Sequence, residues 1–518
     1  MNDPLALFPS GSPSPESVMR LFRAGQSFNS SIDLYDTVRM NENFFIGRQW
    51  EGIESNGLPT PQFNILKRVV GFTVATVTTD NIKVTASPMK GTDAYIAPDQ
   101  IINAEFEALM EQCDIPALIR EYARNAAVDG DGCLYTWWDP EKGIRTEVVD
   151  NTRVIFGNPN DRRVQSQPYI ILSRMEELRA IKRRARALGS PDWDSIHPDT
   201  EDPCATDVQK LTNGKVCVLL TLWRDEKTGH IFSYESTADC QVKAATDLGI
   251  RLYPLCWLNW DYVKDCYHGE AMITALLPNQ IFINKSWAMT MLSIMKSAFP
   301  KIIYDKTRIP AWDNGVGRAI AVNGGDMNSV ARIMDPAVIS PQISEYINLA
   351  VSQTEKCLGA SAAALGDVNP DNTSAIIALQ RAAATPNELT KQNLYKSVEE
   401  LFRIYLEFMG AYYGVRTVET DPPETLRGAA RFGGVKCPDK VAVSFDFAVL
   451  REHPVTLKLD VGASAYYSEI AAIQTVDALL RAGKITTLQY LERIPDDYVP
   501  GRTALIRELK AQSEVTEP

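Results

Sequence analysis

Two helix-forming stretches separated by a short segment of a different kind constrain the fold more than any other feature of this chain. Residues 279–297 and 342–357 have the hydrophobic periodicity of helices. Residues 301–340 instead hold short β-forming runs (KIIYD, AIAV and VARIM), several Gly and Pro, and no stretch long enough for a helix. The chain must leave one helix, form a small β-rich unit and enter a second helix. Together with the elements on either side, this order predicts a mixed α+β fold.

Composition and charge narrow the class of protein. A chain of 518 residues is expected to hold about three or four domains, and 45% hydrophobic residues are enough for a sizeable core. The net charge of −12 argues against a surface that grips nucleic acid throughout, although local basic patches and loose contact with DNA stay open. Nine scattered cysteines without a CxxC pair indicate buried thiols in a reducing compartment. Neither they nor the four histidines have metal-site spacing, so no metal and no cofactor is predicted.

Neither a signal peptide nor a membrane span is predicted. The N-terminus MNDPLALFPSGSPSPES lacks a basic start and a long apolar core, and its Pro and Ser content indicates a mobile tail over residues 1–15. The most apolar window, residues 281–298, is interrupted by polar and charged side chains, which are Asn284, Lys285, Ser286, Ser293 and Lys296. We therefore interpret it as a packed helix of a soluble protein made in the cytoplasm.

Other elements follow from periodicity and from turn and capping signals. Ser173 and Glu176 have the spacing of a capping box and are predicted to start a basic helix that runs to Leu188. KVCVLLTLW and HIFSYES flank DEKTG and predict a hairpin with Gly229 in its turn. Further predicted helices are 16–43, 62–77, 98–127 with an interruption near Pro116, a run from 375 that restarts at Thr385–Glu388, and 468–482 capped by Gly483; further predicted strands are 81–87 and 441–449.

Several sequence motifs suggest chemistry but have simpler interpretations. VDGDGC lacks the later ligands of a calcium loop and predicts a helix-to-strand turn, and GVGR at 315–318 is not a phosphate-binding loop. The basic helix could contact nucleic acid through Arg179, Lys182, Arg183, Arg184 and Arg186, but a solvated outer face is the interpretation we favour. Trp257, Trp260 and Tyr267 could stack on bases, and we favour core or subunit-interface positions for them.

The order of elements resembles the portal proteins of tailed bacteriophages over nearly the whole chain. NENFFIGRQWEG and LPTPQFNILKRVV resemble the family's N-terminal wing entry, and LYPLCWLNWDYVKDCYHGEAMITALLPNQIFINKS resembles the approach to its first stem helix. LGDVNPDNTSAIIALQRAAATPNELTKQNL resembles the tunnel-loop region, and AGKITTLQYLERIP the C-terminal helical segment. One departure is that Ala375 follows Ser374 where many members carry Ser-Gly, which reduces backbone freedom at that helix start.

The resemblance implies a dodecameric ring at one capsid vertex, with wing, stem, clip and crown regions around a central DNA channel. Each stem helix, at about 1.5 Å per residue, is long enough for a channel wall. The implied regions are a flexible tail (1–15), the wing (16–270), stem helix 1 (271–300), the clip (301–341), stem helix 2 (342–359), a tunnel loop (360–374), a long kinked helix of the wing (375–414), a wing β segment (415–455) and a crown with a flexible C-terminal end (456–518).

The predicted tunnel loop has the composition of a conduit lining. Its small side chains would let copies lie side by side around a duplex, Gly366 would keep the backbone pliable, and Asp367 and Asp371 would repel phosphate. An ordinary interhelical loop is the alternative. The predicted channel residues are Ala360, Ser361, Ala362, Ala363, Ala364, Leu365, Gly366, Asp367, Asn369, Asp371 and Asn372.

Charged residues of the clip and stem are the other candidates for contacts. Those of the clip could meet DNA or an acidic packaging motor, or form salt bridges between subunits. They are Lys301, Lys306, Arg308, Arg318 and Arg332, and the stem residues are Lys285 and Lys296. No catalytic residue is predicted.

The resemblance implies a structural role with many partners. The expected partners are other copies of the chain, double-stranded DNA, the terminase large subunit, a head–tail adaptor, and the major capsid and scaffolding proteins, with the protein located in the virion. Two alternatives stay open: another structural protein, such as a head–tail adaptor or minor capsid component, and a DNA-packaging enzyme. The second lacks a Walker A motif.

Overall fold

The protein is described from a computed structural model. The described residues are 13–52, 54–55, 57–78, 81–87, 98–205, 214–298, 302–313, 315, 320–326, 329–333, 341–357, 387–420, 440–451, 455–462, 476–477 and 479–491. The helices are α1 (Pro15–Ser31), α2 (Leu34–Ile46), α3 (Ile65–Thr78), α4 (Pro98–Gln112), α5 (Ile115–Asp129), α6 (Leu178–Ala187), α7 (Leu277–Ala298), α8 (Pro341–Cys357), α9 (Glu388–Tyr412) and α10 (Thr487–Leu491).

The strands form small antiparallel sheets. The larger ones have the orders β4-β5-β6-β7-β8 and β3-β2-β9, and the two-stranded ones pair β1 with β14, β10 with β11, and β12 with β13. The mixed α+β class is confirmed. The strands are β1 (Asn81–Ala86), β2 (Asp131–Asp139), β3 (Gly143–Val149), β4 (Val154–Phe156), β5 (Tyr169–Glu177), β6 (Lys215–Arg224), β7 (Ile231–Ser236), β8 (Gln241–Asp247), β9 (Leu255–Asn259), β10 (Ile302–Tyr304), β11 (Ala331–Ile333), β12 (Val415–Thr420), β13 (Val441–Asp446) and β14 (Leu457–Gly462).

The main hydrophobic core lies where α9 and α5 pack against the β3-β2-β9 sheet. Tyr122 of α5 and Tyr405 of α9 are fully buried, and the Tyr122 hydroxyl lies 2.6 Å from Ser397 Oγ. The sequence of α9 places an apolar stripe at helical spacing, and the structure confirms it as the core face of the helix. Its residues are Leu394, Val398, Leu401, Phe402, Tyr405, Phe408 and Met409, which are buried, and Tyr412, which is half-buried. Two separate hydrophobic clusters lie where α1 and α6 pack against the five-stranded sheet.

Two of the predicted N-terminal helices are each broken by an aspartate in the left-handed region. Asp33 (φ 54°) separates α1 from α2, which the sequence predicted as one helix. Asp114 (φ 47°) separates α4 from α5, and Pro116 lies in the first turn of α5, so the predicted interruption there is confirmed. Asp tolerates this conformation better than most residues, which is why both breaks fall on it.

The predicted capping box at Ser173 and Glu176 is wrong. Both residues belong to β5, whose ladder with β6 continues to Glu177, and α6 begins only at Leu178. Glu176 instead accepts two hydrogen bonds from Arg184 of α6, at 3.0 and 3.1 Å. Pairing with β6, whose residue Val216 lies opposite Glu176, overrides the local capping signal.

The C-terminal predictions differ in outcome. Gly483 is confirmed as a helix cap, because it has φ 67° and its amide donates to the carbonyl of Leu480. The strand predicted over 441–449 ends at Asp446, and a short 3-10 helix (Phe447–Arg451) turns the Phe447 ring into the core. Residues 375–386, which include the start of the predicted helix before α9, lie outside the described residues.

Candidate functional site: the α7, α8 and clip surface

The first half of α7 is anchored in the core by a ladder of buried amides. Gln280 donates to the carbonyl of Phe63 (2.7 Å) and to Asn284 Oδ1 (2.9 Å), and Asn284 donates to Gln49 Oε1 (2.7 Å). Gln49, Gln280 and Asn284 are all at most 3% exposed. Because every member is hydrogen-bonded, the ladder fixes the direction in which α7 leaves the core.

The second half of α7 and most of α8 leave large apolar side chains uncovered. The two helices pack against each other, but within the described part of α8 the fully buried side chains are Ile347 and Thr354, one narrow seam. Apolar groups clustered this way mark an interaction surface. The exposed apolar residues, here called the stem surface, are Met289, Met291, Ile294 and Met295 of α7 and Ile343, Tyr346 and Leu349 of α8.

Between the two helices, a short hairpin forms the β-rich unit. β10 pairs antiparallel with β11 over three residues each, as predicted for KIIYD and VARIM. The third predicted run, AIAV, is not a strand over its described residues 320–322. Ile309 and Val330 are buried beneath the hairpin, and Tyr304 packs on Trp312. Two three-residue strands are too few for independent stability, so this unit depends on further contacts.

The predicted contact residues of the hairpin have different surroundings. Arg308 is half-buried, donates to Ser329 Oγ (3.1 Å) and lies 3.6 Å from Asp305 Oδ2, so it holds the hairpin's own loops together. Lys306 and Arg332 are exposed. Lys301 and Arg318 lie outside the described residues. On α7, Lys285 is exposed, and the Lys296 side chain is not among those described.

Comparison with known families bears on this same part of the chain. Residues 243–418 match the family described as phage P22-like portal protein. The resemblance to phage portal proteins is confirmed. The portal match runs from β8 into β12 and so includes α7, the hairpin, α8 and α9.

Other comparisons add little. No curated protein sequence matches the chain. A chain from the neck of an empty GTA particle computed with C6 symmetry is similar over 84% of this chain and 90% of that chain, at 12% identity and a TM-score of 0.38. We draw no conclusion from a similarity at that TM-score.

The predicted tunnel loop of this portal-like chain, Ala360 to Asn372, lies outside the described residues. α8 ends at Cys357 and α9 begins at Glu388. The role of the loop therefore stays a prediction.

A buried polar cluster near the start of α7 was not predicted from the sequence. Asp131 accepts hydrogen bonds from Asn259 Nδ2 and the Gly269 amide, both at 2.7 Å, and lies 2.6 Å from His268 Nδ1. His268 Nε2 lies 3.2 Å from Asn29 Oδ1 of α1. Asp131 follows the turn at Gly130 (φ 97°), which confirms the helix-to-strand interpretation of VDGDGC. The cluster ties α1 and β2 to the segment that leads into α7.

The remaining sequence candidates are structural. Trp257, Trp260 and Tyr267 are buried, which confirms a core position. α6 buries Ile181 and Ala185. Of its basic residues, Arg179, Arg183 and Arg186 are exposed as predicted, whereas Lys182 and Arg184 are half-buried and paired with acidic side chains. In the described part of the chain, no group of three or more His, Cys, Asp and Glu could hold a metal, and no helix is long and apolar enough to cross a membrane.

Proposed function

We propose that copies of this chain assemble into the dodecameric portal ring of a tailed phage, at one vertex of the capsid. The DNA would be packaged through the ring's central channel by the terminase motor and later ejected through it. The portal-family match over residues 243–418 supports this proposal, because it falls on the two helices and the intervening hairpin that the resemblance assigns to stem and clip.

The observation that carries the proposal is the stem surface. Leaving a Leu- or Met-sized side chain exposed forgoes about 1.5–3 kcal/mol of burial free energy. Because seven such side chains lie on two adjacent helices, their burial against another protein surface is favourable. A neighbouring copy placed by rotation can supply that cover, and repeated rotation closes a ring.

Charge supports a passage that does not bind DNA tightly. The chain carries a net charge of −12, and the predicted tunnel loop contains Asp367 and Asp371. A carboxylate-bearing lining repels phosphate, so the duplex would slide without adhering. Deleting residues 361–365 and measuring packaged DNA tests this step, and normal packaging by the deletion variant would remove the loop from the proposal.

The clip is the proposed docking platform for the terminase large subunit and the head–tail adaptor. Exposed Lys306 and Arg332 offer cationic contacts to an acidic partner there. The wing would face the major capsid and scaffolding proteins in the virion after synthesis in the bacterial cytoplasm. No enzymatic step is assigned to the chain.

Electron microscopy of the purified full-length protein, with light scattering for its mass, tests the proposal. We expect rings with a central hole wide enough for duplex DNA and a mass of about twelve copies. A monodisperse single-copy particle without a hole would contradict it. Sustained ATP hydrolysis by the isolated chain would favour the packaging-enzyme alternative instead.

A further inference from the structure

A cavity of about 440 Å³ lies between the two larger sheets and shares no residue with the stem surface. Its walls come from the strands β2, β5, β6, β7 and β8, from α6 and from the C-terminal half of α9. This volume lies within the range of about 300–1,000 Å³ that small-ligand sites occupy. We call it the sheet cavity.

Flat aromatic rings line the sheet cavity from both faces of β2. Tyr135 and Trp137 are stacked with ring centroids 5.8 Å apart, and Trp138 is stacked on Tyr412 at 5.1 Å with an interplanar angle of 8°. All four rings line the cavity. Such walls favour a planar ligand, because a flat ring can stack on them with little loss of conformational entropy.

Polar atoms without a hydrogen-bond partner among the described residues line the same cavity. They are Ser233 Oγ and Arg184 Nε, and the Ser233 side chain is only 3% exposed. Glu235 Oε2 is already paired with Nη2 of the Arg184 guanidinium at 2.9 Å, so an acceptor lies a few ångströms from the donor Nε. Buried polar atoms in native proteins almost always have partners, so a ligand or ordered water is expected to meet Ser233 Oγ and Arg184 Nε.

The charges around the sheet cavity are balanced. Arg184 pairs with Glu176 and Glu235, and Arg174 pairs with Glu147 while lying over the Tyr135 ring. Lys243 stands opposite Glu235 in the strand register. The lining carries three basic and three acidic side chains, so an ionised ligand would lose its hydration and meet as many like charges as opposite ones, which favours an uncharged ligand.

We propose that the sheet cavity binds a small, uncharged, planar ligand that carries a carboxamide or lactam group. The carbonyl oxygen accepts from Arg184 Nε, the amide N–H donates to Ser233 Oγ or, as a second donor beside Arg184, to Glu235 Oε2, and the ring stacks on one of the aromatic side chains of the lining. An amide fits because it presents one acceptor and one donor side by side.

Saturation-transfer NMR on the full-length protein tests the ligand class, with benzamide as the probe. Benzoate controls for charge, and cyclohexanecarboxamide controls for planarity. We expect the apparent affinity for benzamide to be at least about tenfold higher than that for either control. The loss of one hydrogen bond or one stacking contact accounts for a difference of that size. Equal signals for the three probes, or none, would overturn the proposal and leave ordered water as the partner of these atoms.

Two variants separate binding from folding. Arg184→Lys keeps the charge but removes Nε–H, and Arg183→Lys is the matched control because Arg183 is exposed on the same helix. Ser233→Ala removes a hydroxyl that has no protein partner, so its thermal stability should not fall while its benzamide binding weakens. Unchanged benzamide binding in folded Ser233→Ala and Arg184→Lys, or an equal loss in Arg183→Lys, would refute the site.

Discussion

The core region and the helix–clip region of this chain differ in how far they bury their large apolar side chains. The core region, residues 13–276 with α9 and the sheets around it, covers its large side chains with its own elements, as Tyr122 and Tyr405 show. In its described residues, the helix–clip region (277–357) exposes Met, Ile, Leu and Tyr side chains along two helices, and its sheet has two three-residue strands. The first region buries most of its large apolar side chains within one chain, whereas the second leaves the seven of the stem surface exposed along α7 and α8. Four sets of substitutions test this difference between the regions, in order of decreasing expected effect.

Leu349→Asp should have the largest effect, because it places a charge in the stem surface. We expect it to shift the protein from rings to monomers in size-exclusion chromatography with light scattering, since burying an unpaired carboxylate costs several kcal/mol at each of the repeated interfaces. Leu188→Asp is the matched control, because Leu188 is similarly exposed (49% against 52%) but lies at the end of α6. Rings that persist in Leu349→Asp, or vanish equally in Leu188→Asp, would contradict the assigned surface.

Alanine substitutions at two isoleucines of α7 compare its halves within one helix. Ile283 is 1% exposed and Ile294 is 53% exposed. Ile283→Ala should lower the free energy of unfolding of the monomer by about 2–5 kcal/mol, and Ile294→Ala should change it by much less. Urea unfolding of monomeric protein measures both. Equal losses would show that the stem surface is already covered within one chain.

Asn284→Ala tests the junction between the regions. Removing this amide leaves Gln49 Oε1 without the donor it has in the ladder and takes from Gln280 Nε2 one of its two acceptors, at an expected cost of about 1–3 kcal/mol. Asn279→Ala, at an exposed position of the same helix, is the control and should be nearly neutral. Thermal unfolding compares the two. A neutral Asn284→Ala would mean that the amide ladder does not set the stability of the junction.

Glu400→Gln should have the smallest effect and should be confined to the core region. Burial raises the pKa of the Glu400 carboxyl, and Lys396 and Arg403 lower it only in part. A carboxyl whose pKa is raised by folding stabilises the fold while protonated, and this stability is lost as pH rises from the unfolded-state pKa through the folded one. Glu400→Gln should therefore remove part of that decline and be more stable than wild type near neutral pH.

Urea unfolding of Glu400→Gln at several pH values checks this, with Glu399→Gln as the neighbouring control. Replacing Glu399 should give a smaller gain, because it is a minor cause of the raised Glu400 pKa and its replacement also breaks the ion pair with Arg403. A pH profile of Glu400→Gln parallel to that of wild type would contradict the prediction.

Elements fixed by local pattern were predictable from the sequence, and those fixed by distant partners were not. α8 begins one residue before its predicted start, and the hairpin at Gly229 (φ 71°) forms as predicted, because periodicity and turn chemistry act over a few residues. The extension of β5 through Glu176 depends on β6, which no local signal reveals. The stem surface was missed because a helical pattern does not say which apolar face stays uncovered, although three Met within 289–295 hint at an adaptable contact.

The ladder of β1 with β14 has a consequence for timing during synthesis. It joins Thr85 to Lys458, 373 positions later in the chain. A nascent polypeptide cannot close this pairing until almost all of it has left the ribosome. Completion of the fold is thereby postponed to the end of translation.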